Sequence, residues 1–348
     1  MIVEKYTYPF EKGKPSIFAI VGSPFQALCA IEAIRDLEIL DYKFLVCLSN
    51  WKRDDQALAL LNKYNIKYEC VSRREVLSFK GRLSILRFRQ NKYKRIFVGD
   101  FRSLQLYYCS LRYASNNSTI ISLDDGNCNV SLLKNVYKLR VKNKARLLSY
   151  WYLNAVAKLR FIKKDNCLYT LFSDIPNTKI LCCQNRFRNI QLVPDSVSKN
   201  HKGVFFVGTN TKSFADALSL ELNTLYQFMA GIFETIQKDH VNEKLVFIPH
   251  GADDDINVKN LCQKYGFEYD RPDTLVELYM LNLENPPKYV YGFSSTALFT
   301  IKKMFLGAEV FNIIFEGEYP NYERRKNISE YYMKHDIKTI TIDIQRFS

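Results

Sequence analysis

Short apolar runs separated by helical patterns recur through this chain, and they restrict its fold more than any other feature. "SIFAIV" (16–21), "KFLVCL" (43–48), "KYECV" (67–71), "RIFVGD" (95–100) and "TIISL" (119–123) follow one another at intervals of about 25 residues. Between them lie patterns such as "FQALCAIEAIRDL" and "DDQALALLNKY", with apolar residues at helical spacing. Strands this short and this apolar are buried on both faces, so the alternation predicts βαβ units and a parallel sheet covered by helices. It resumes after residue 200 with "GVFFVG" (203–208), "KLVFIP" (244–249), "KYVYG" (288–292) and "AEVFNIIF" (308–315). One long helical pattern, "FADALSLELNTLYQFMAGIFETIQ", fills the first gap of that half. The two halves predict an α/β chain of two doubly wound, Rossmann-like domains facing a cleft. Ligands of such sheets bind beyond the carboxyl ends of the strands.

The polar stretch "QLVPDSVSKNHKG" (191–203) contains Pro194 and marks the boundary. It gives domains over 1–195 and 196–348, with the final helix free to pack back on the first domain. A length of 348 residues suits two domains, and 47% hydrophobic with 25% charged residues excludes a disordered chain. Nine cysteines, an odd number with no C-x-x-C, read as reduced core residues of a cytoplasmic protein. The N-terminal "MIVEKYTYPFEKGKP" has no apolar signal region, and no run approaches the ~20 apolar residues of a membrane span. The expectation is a cytoplasmic protein, soluble or peripheral at the inner face of a membrane.

Net charge is +14, which favours an anionic partner: nucleic acid, an anionic lipid surface or a phosphorylated substrate. The charge is uneven. The segment 131–164 reads helical and carries ten Lys and Arg with no Asp or Glu. It is a candidate contact for an anionic membrane surface, with Tyr150, Trp151 and Tyr152 at the headgroup level. A basic helical cover for the sheet and a groove for a polyanionic glycan are the other readings.

Four strand ends carry polar motifs. In "VGSPFQALCAIEAI" (21–34), Ser23 is placed as an N-cap and Pro24 as the first helical residue, which exposes Ser23, Pro24 and Gln26 at the sheet mouth. "LDDGN" follows the strand ending at Leu123 and contributes Asp124, Asp125, Gly126 and Asn127. Adjacent carboxylates repel, which raises a pKa and suits a general base near neutral pH. "FIPHGADDD" (247–255) holds His250, the one of four histidines that directly follows an apolar strand, and then Gly251. A histidine there can give a proton to a leaving group or steady a phosphate. "YGFSSTALF" (291–299) ends a strand at Gly292 and begins a helix with Ser294, Ser295 and Thr296, a hydroxyl and N–H cradle for phosphate. Upstream, Glu277 in "RPDTLVELYML" sits on a helix facing the same cleft, where its carboxylate can accept from two ribose hydroxyls. The Asp253-Asp254-Asp255 run is the one D-x-D pair with metal-ligand character. It does not end a strand directly, so it reads as a solvated loop and no metal is expected.

"SPFQALCAIEA", "LDDGN", "PHG" and "FSST", in that order, resemble the bacterial sialyltransferases. That superfamily includes the lipooligosaccharide sialyltransferases, the multifunctional ones and the capsule polysialyltransferases. The likeness runs from about residue 16 to about residue 300 but rests on short motifs. It implies a two-domain GT-B fold and an inverting, metal-independent transfer of sialic acid, or a related nonulosonic acid, from a CMP-sugar to a sugar hydroxyl of a bacterial surface glycan. No cofactor is implied beyond the CMP-sugar donor. On this resemblance Asp125 is the general base with Asp124 beside it, and His250 is the general acid or phosphate partner. Ser294 and Ser295 are the phosphate ligands and Glu277 the ribose contact. The intervals between Glu277 and His250 (277 − 250 = 27) and between Ser294 and Glu277 (294 − 277 = 17) are similar to those of the multifunctional members. The sequence departs from the family at His250, where proline precedes the histidine as Pro249 instead of following it, and Ile248 stands where some members have a lysine. Two other readings stay open: the same fold with a CMP-Kdo or UDP-hexose donor, and a basic nucleic-acid-binding protein.

Overall fold

The computed structural model describes residues 10–48, 52–72, 78, 85–86, 92–100, 103–126, 144–163, 167–172, 181–189, 201–251, 253, 255–320 and 322–344. The chain divides into two compact units, Met1–Leu192 and Val193–Ser348.

The first unit is built on a seven-stranded parallel sheet. Its order is β3 (Glu69–Ser72), β2 (Tyr42–Leu48), β1 (Ser16–Val21), β4 (Arg95–Val98), β5 (Thr119–Ser122), β6 (Cys167–Thr170) and β7 (Leu181–Gln184). Helices α1 (Pro24–Asp36), α2 (Lys52–Lys63), α3 (Leu104–Tyr113) and α4 (Lys144–Leu159) connect the strands. Ile17, Ala19, Leu45 and Ile96 are fully buried, as strands covered on both faces require. The rings of Phe18, Phe44 and Phe97 stack across β2, β1 and β4, with centroids 5.7 and 4.7 Å apart. The sheet order reverses at β1, so the crevice between the ends of β1 and β4 is the topological switch point where such sheets take ligands.

The second unit repeats the plan with six parallel strands: β10 (Phe267–Tyr269), β9 (Leu245–Ile248), β8 (Lys202–Val207), β11 (Pro287–Gly292), β12 (Glu309–Glu316) and β13 (Ile337–Asp343). Its helices are α5 (Thr211–Leu218), α6 (Leu222–Asp239), α7 (Ile256–Lys264), α8 (Val276–Leu281), α9 (Thr296–Met304) and α10 (Tyr322–Met333). The switch point here lies between β8 and β11. The single long helix expected over 214–237 is two, α5 and α6. Ser219 adopts a left-handed conformation, with φ of 57°, and its N–H closes the end of α5.

The basic segment is also less uniform than its composition suggests. α4 occupies 144–159, and residues 127–143 lie outside the described residues. Arg160 is fully buried. Its guanidinium donates to the carbonyls of Leu111 (2.5 Å), Ile85 (3.1 Å) and Ala114, and Nε donates to Asn116. It satisfies carbonyls that the end of α3 leaves without helical partners, which is a structural task. Tyr150, expected at a membrane surface, is buried instead, and half-buried Tyr152 packs toward Tyr108. Trp151 does point outward, 71% exposed. The eight described cysteines are free thiols, and of these only Cys70 is exposed. Among the described residues no helix is long and apolar enough to cross a membrane.

Candidate functional site

The residues singled out by sequence fall in two groups, one on each unit, and all but Glu277 follow the carboxyl ends of strands. In the first unit, β1 ends at Val21, Gly22 and Ser23 turn the chain, and Pro24 opens α1. Ser23 occupies the N-cap position with extended backbone, but its side chain makes no capping bond, contrary to expectation. The turn is instead braced by Gln26. Its Oε1 accepts from the Val21 N–H at 3.1 Å, and its Nε2 donates to Asp125 Oδ1 at 2.9 Å. Gln26 is itself buried, so the amide is a fixed arm between β1 and the segment after β5.

Gly99, directly after β4, makes room for that arm. A Cβ there would lie 2.1 Å from Gln26 Oε1. Gly22 has a matching role, since a Cβ would lie 1.6 Å from a carboxylate oxygen of Asp54, a buried residue near the start of α2. Neither Gly99 nor Asp54 was expected at this site. The repeated Val-Gly at strand ends (21–22, 98–99 and 207–208) is the signal that points to the glycines.

The structure gives Asp124 a different task from the catalytic one expected for it. Its side chain is fully buried. Oδ1 accepts from the Thr170 hydroxyl at 2.5 Å and Oδ2 from the Leu171 N–H at 2.8 Å. The carboxylate ties the end of β5 to the end of β6, and both of its oxygens are engaged. Asp125 is half-buried and is the member of the pair that Gln26 orients. Gly126 follows with φ of 61°, a left-handed turn that suits glycine. Asn127 lies outside the described residues.

In the second unit, His250 follows β9 by two residues and is exposed. Its carbonyl accepts from the Asp253 N–H at 2.8 Å, and the Gly251 carbonyl accepts from Arg271 at 3.0 Å. The aspartates after it are structural where described. Asp253 accepts from the N–H and hydroxyl of Thr211 at the start of α5. Asp255 caps α7 through the Asn257 N–H and accepts from Tyr226. Asp254 lies outside the described residues.

β11 ends at Gly292, where a Cβ would lie 2.9 Å from the Val207 carbonyl, so glycine permits the close approach of β8. Ser294 turns the chain with φ of 45°, and its N–H donates to Asn312 at 2.8 Å. Ser295 caps α9 by accepting from the Ala297 N–H, and Thr296 is the first residue of the helix. Helix α8 packs on α9. Glu277, in the first turn of α8, is 3% exposed, and its Oε2 has no hydrogen-bond partner. Burial pushes its carboxyl up to about 7, opposed only by its own backbone N–H. A buried carboxylate with an unused oxygen is costly to stability, and such groups concentrate at binding and catalytic sites.

No family model matches the sequence. No curated protein matches it either. Solved structures do. The 2,6-sialyltransferase of Photobacterium sp. JT-ISH-224, in a ternary complex with CMP and lactose, is similar over 93% of this chain and 78% of its own, at 14% identity and a TM-score of 0.51. MnaA of S. aureus, bound to UDP, is similar over 92% of this chain and 87% of its own, at 13% identity and a TM-score of 0.50. The GT-B domain of a sialyltransferase from Photobacterium damselae covers 94% of this chain and 100% of its own at 12% identity, with a TM-score of 0.43. Identities this low establish architecture alone, and with the two parallel α/β units described above they give this chain the GT-B fold.

Proposed function

We propose that the protein is an inverting glycosyltransferase that moves sialic acid, or a related nonulosonic acid, from a CMP-sugar to a sugar hydroxyl of a bacterial surface glycan. The observation that carries this reading is the division of labour at "LDDGN". Asp124 is locked into the fold by both of its oxygens, while half-buried Asp125, at the mouth of the sheet, is oriented by the Gln26 amide.

In the reaction, the acceptor hydroxyl gives its proton to Asp125 as its oxygen bonds to the anomeric carbon. The bond from that carbon to the phosphate oxygen breaks, and CMP departs. A single displacement inverts the anomeric configuration. Charge that collects on the phosphate is met by His250 and by the hydroxyls and N–H groups of Ser294, Ser295 and Thr296, acting as fixed electrostatics. CMP carries one phosphate, so these groups suffice and the proposal includes no metal. Glu277 accepts from the ribose hydroxyls. The sialyltransferase neighbour was solved with CMP and lactose, a donor product and an acceptor of these classes. MnaA was solved with UDP, so the fold alone does not select the base.

A hydrolysis and transfer assay over CMP-sialic acid, CMP-Kdo and UDP-hexoses tests the reading. Turnover of a CMP-nonulosonate above the others is the expected result. Turnover of UDP-hexose alone would move the protein to the second donor class. Salt-dependent DNA binding without any sugar-nucleotide turnover would overturn the enzyme reading.

The proposal includes a peripheral contact with the inner membrane through α4. Leu148 (67%), Trp151 (71%), Leu159 and Phe161 (71%) are exposed on or just after a helix in a segment without acidic residues. Exposed apolar groups flanked by lysine suit an anionic bilayer surface, where each nearby basic residue contributes about 1 kcal/mol. In flotation with vesicles containing anionic lipid, Leu148→Ser combined with Trp151→Ser is expected to weaken binding about tenfold or more, with turnover on a soluble acceptor retained. Equal flotation of the variant would remove α4 from the contact.

A further inference from the structure

Arg325 is a cation the fold does not account for. It lies in the first turn of α10 on the side that leads into buried Ile328, Ser329 and Tyr332. Its guanidinium carbon stands 4.7 Å from the centroid of the Phe214 ring. It is half-buried, and its electrostatic neighbours are the Tyr319 hydroxyl and a second cation, Arg324. No carboxylate among the described residues pairs with it. The position is unfavourable on three grounds. The helix dipole presents its positive end there. Arg324 repels it, and burial strips water from a group that stays protonated. The face of Phe214 offsets part of this by cation–π attraction.

The surroundings say what else is meant to meet it. Phe214 lies in the first turn of α5, directly beyond β8. Its ring packs on that of Phe293, with centroids 4.8 Å apart, and Phe293 immediately precedes Ser294 and Ser295. β8 and β11 are the neighbours at the switch point of the sheet. β12 forms a wall beside them. Gly292, the end of β11, is in register with Asn312, and β12 continues to Glu316 (316 − 312 = 4 residues further). Four residues of strand rise about 13 Å. The chain turns at the top of that wall and enters α10, from which Arg325 reaches back to Phe214.

We propose that Arg325 is a ligand of the donor phosphate, placed on the Phe214–Phe293 aromatic floor so that its guanidinium pairs with a phosphate oxyanion beside the Ser294–Thr296 turn. This rests on the nucleotide-sugar reading above. A planar fork of N–H donors suits two phosphate oxygens at once, which a lysine does not reproduce.

The test is calorimetric binding of CMP and of cytidine to the full chain and to Arg325→Met and Arg325→Lys. Methionine keeps an apolar stem against Phe214 and removes the charge. The expected result is that Arg325→Met weakens CMP about 10- to 100-fold and leaves cytidine within about twofold, with Arg325→Lys between the wild type and the methionine variant. The CMP-to-cytidine ratio is the readout because a role in packing alone lowers the melting midpoint without changing it. An unchanged ratio in a folded variant overturns the assignment of Arg325 and leaves the donor reading standing. Wild-type protein that binds UDP but not CMP overturns the CMP reading, and the same ratio taken with UDP and uridine then decides Arg325. Wild-type protein that binds no nucleotide overturns both.

Discussion

Asp125→Asn is expected to lower turnover by about 10²–10⁴ while the protein stays folded, because the substitution removes the group proposed to take the acceptor proton. The asparagine keeps the shape of the side chain and still accepts from Gln26 Nε2 through its own Oδ1, so the turn after β5 has no reason to move. Asp124→Asn is expected to behave in the opposite way. Both of its oxygens accept, from the Thr170 hydroxyl and the Leu171 N–H, in a fully buried site. An amide at this position keeps one acceptor only, so its NH2 either opposes the Leu171 N–H or displaces the hydrogen that the Thr170 hydroxyl donates. The loss should be about 1–3 kcal/mol of stability, read as a lower melting midpoint. Turnover per folded molecule should change much less than in Asp125→Asn. If the two variants lose activity equally at matched stability, the adjacent carboxylates act together and the division of labour assigned to them is wrong.

That division was out of reach of the sequence for a specific reason. Adjacent residues on an extended segment point to opposite sides, so Asp124 and Asp125 could not both face one partner. Choosing between them requires the neighbouring strand, and β6 was missed. "CLYT" is four residues long and follows a basic helical segment, so it carries no pattern of its own, yet its Thr170 is what holds Asp124. The strands that were legible are apolar and covered on both faces, such as β1, β4 and β8. Those missed include the edge strands β7, β10 and β13. β10 has three residues, and β13, "IKTITID", buries only its first residue and shows no clean two-residue period. The break between α5 and α6 was hidden because leucines on both sides of Ser219 maintain a helical period through it. The motifs at strand ends fared better, since a polar cluster directly after an apolar run marks the mouth of a parallel sheet whatever its neighbours are. Gln26 was visible on that basis, and Glu277 as an acid on the helix that precedes β11. Their geometry was not: a buried amide spanning two strand ends, and a carboxylate with an oxygen left unpaired.

Glu277 should make both stability and nucleoside binding depend on pH, in opposite directions. Its carboxyl is pushed from an ordinary 4.5 up to about 7 by burial, so the folded protein holds a proton there that the unfolded chain releases. Stability therefore falls as pH rises from about 4.5 to about 7, by up to about 1.4 kcal/mol per pH unit, or about 3 kcal/mol across the window. Below that window both states are protonated and above it both are ionised, so the slope vanishes on either side. Glu277→Gln should abolish the slope. The slope, not the absolute stability, is the informative quantity, because the amide brings an NH2 of its own into the buried site. A ribose that donates two hydroxyls needs the ionised form. Cytidine affinity of the wild-type protein should accordingly rise with pH up to about 7, by as much as tenfold per unit, and level off above it. In Glu277→Gln it should be weak and flat. Denaturant melts and cytidine titrations at a series of pH values from 5 to 8 separate the two roles. A stability slope with pH-independent cytidine binding would leave Glu277 a buried acid and take the ribose away from it. Loss of both slopes in Glu277→Gln would tie the strained carboxylate of α8 to the donor nucleotide, the ligand in whose presence an otherwise unfavourable burial becomes a binding contact.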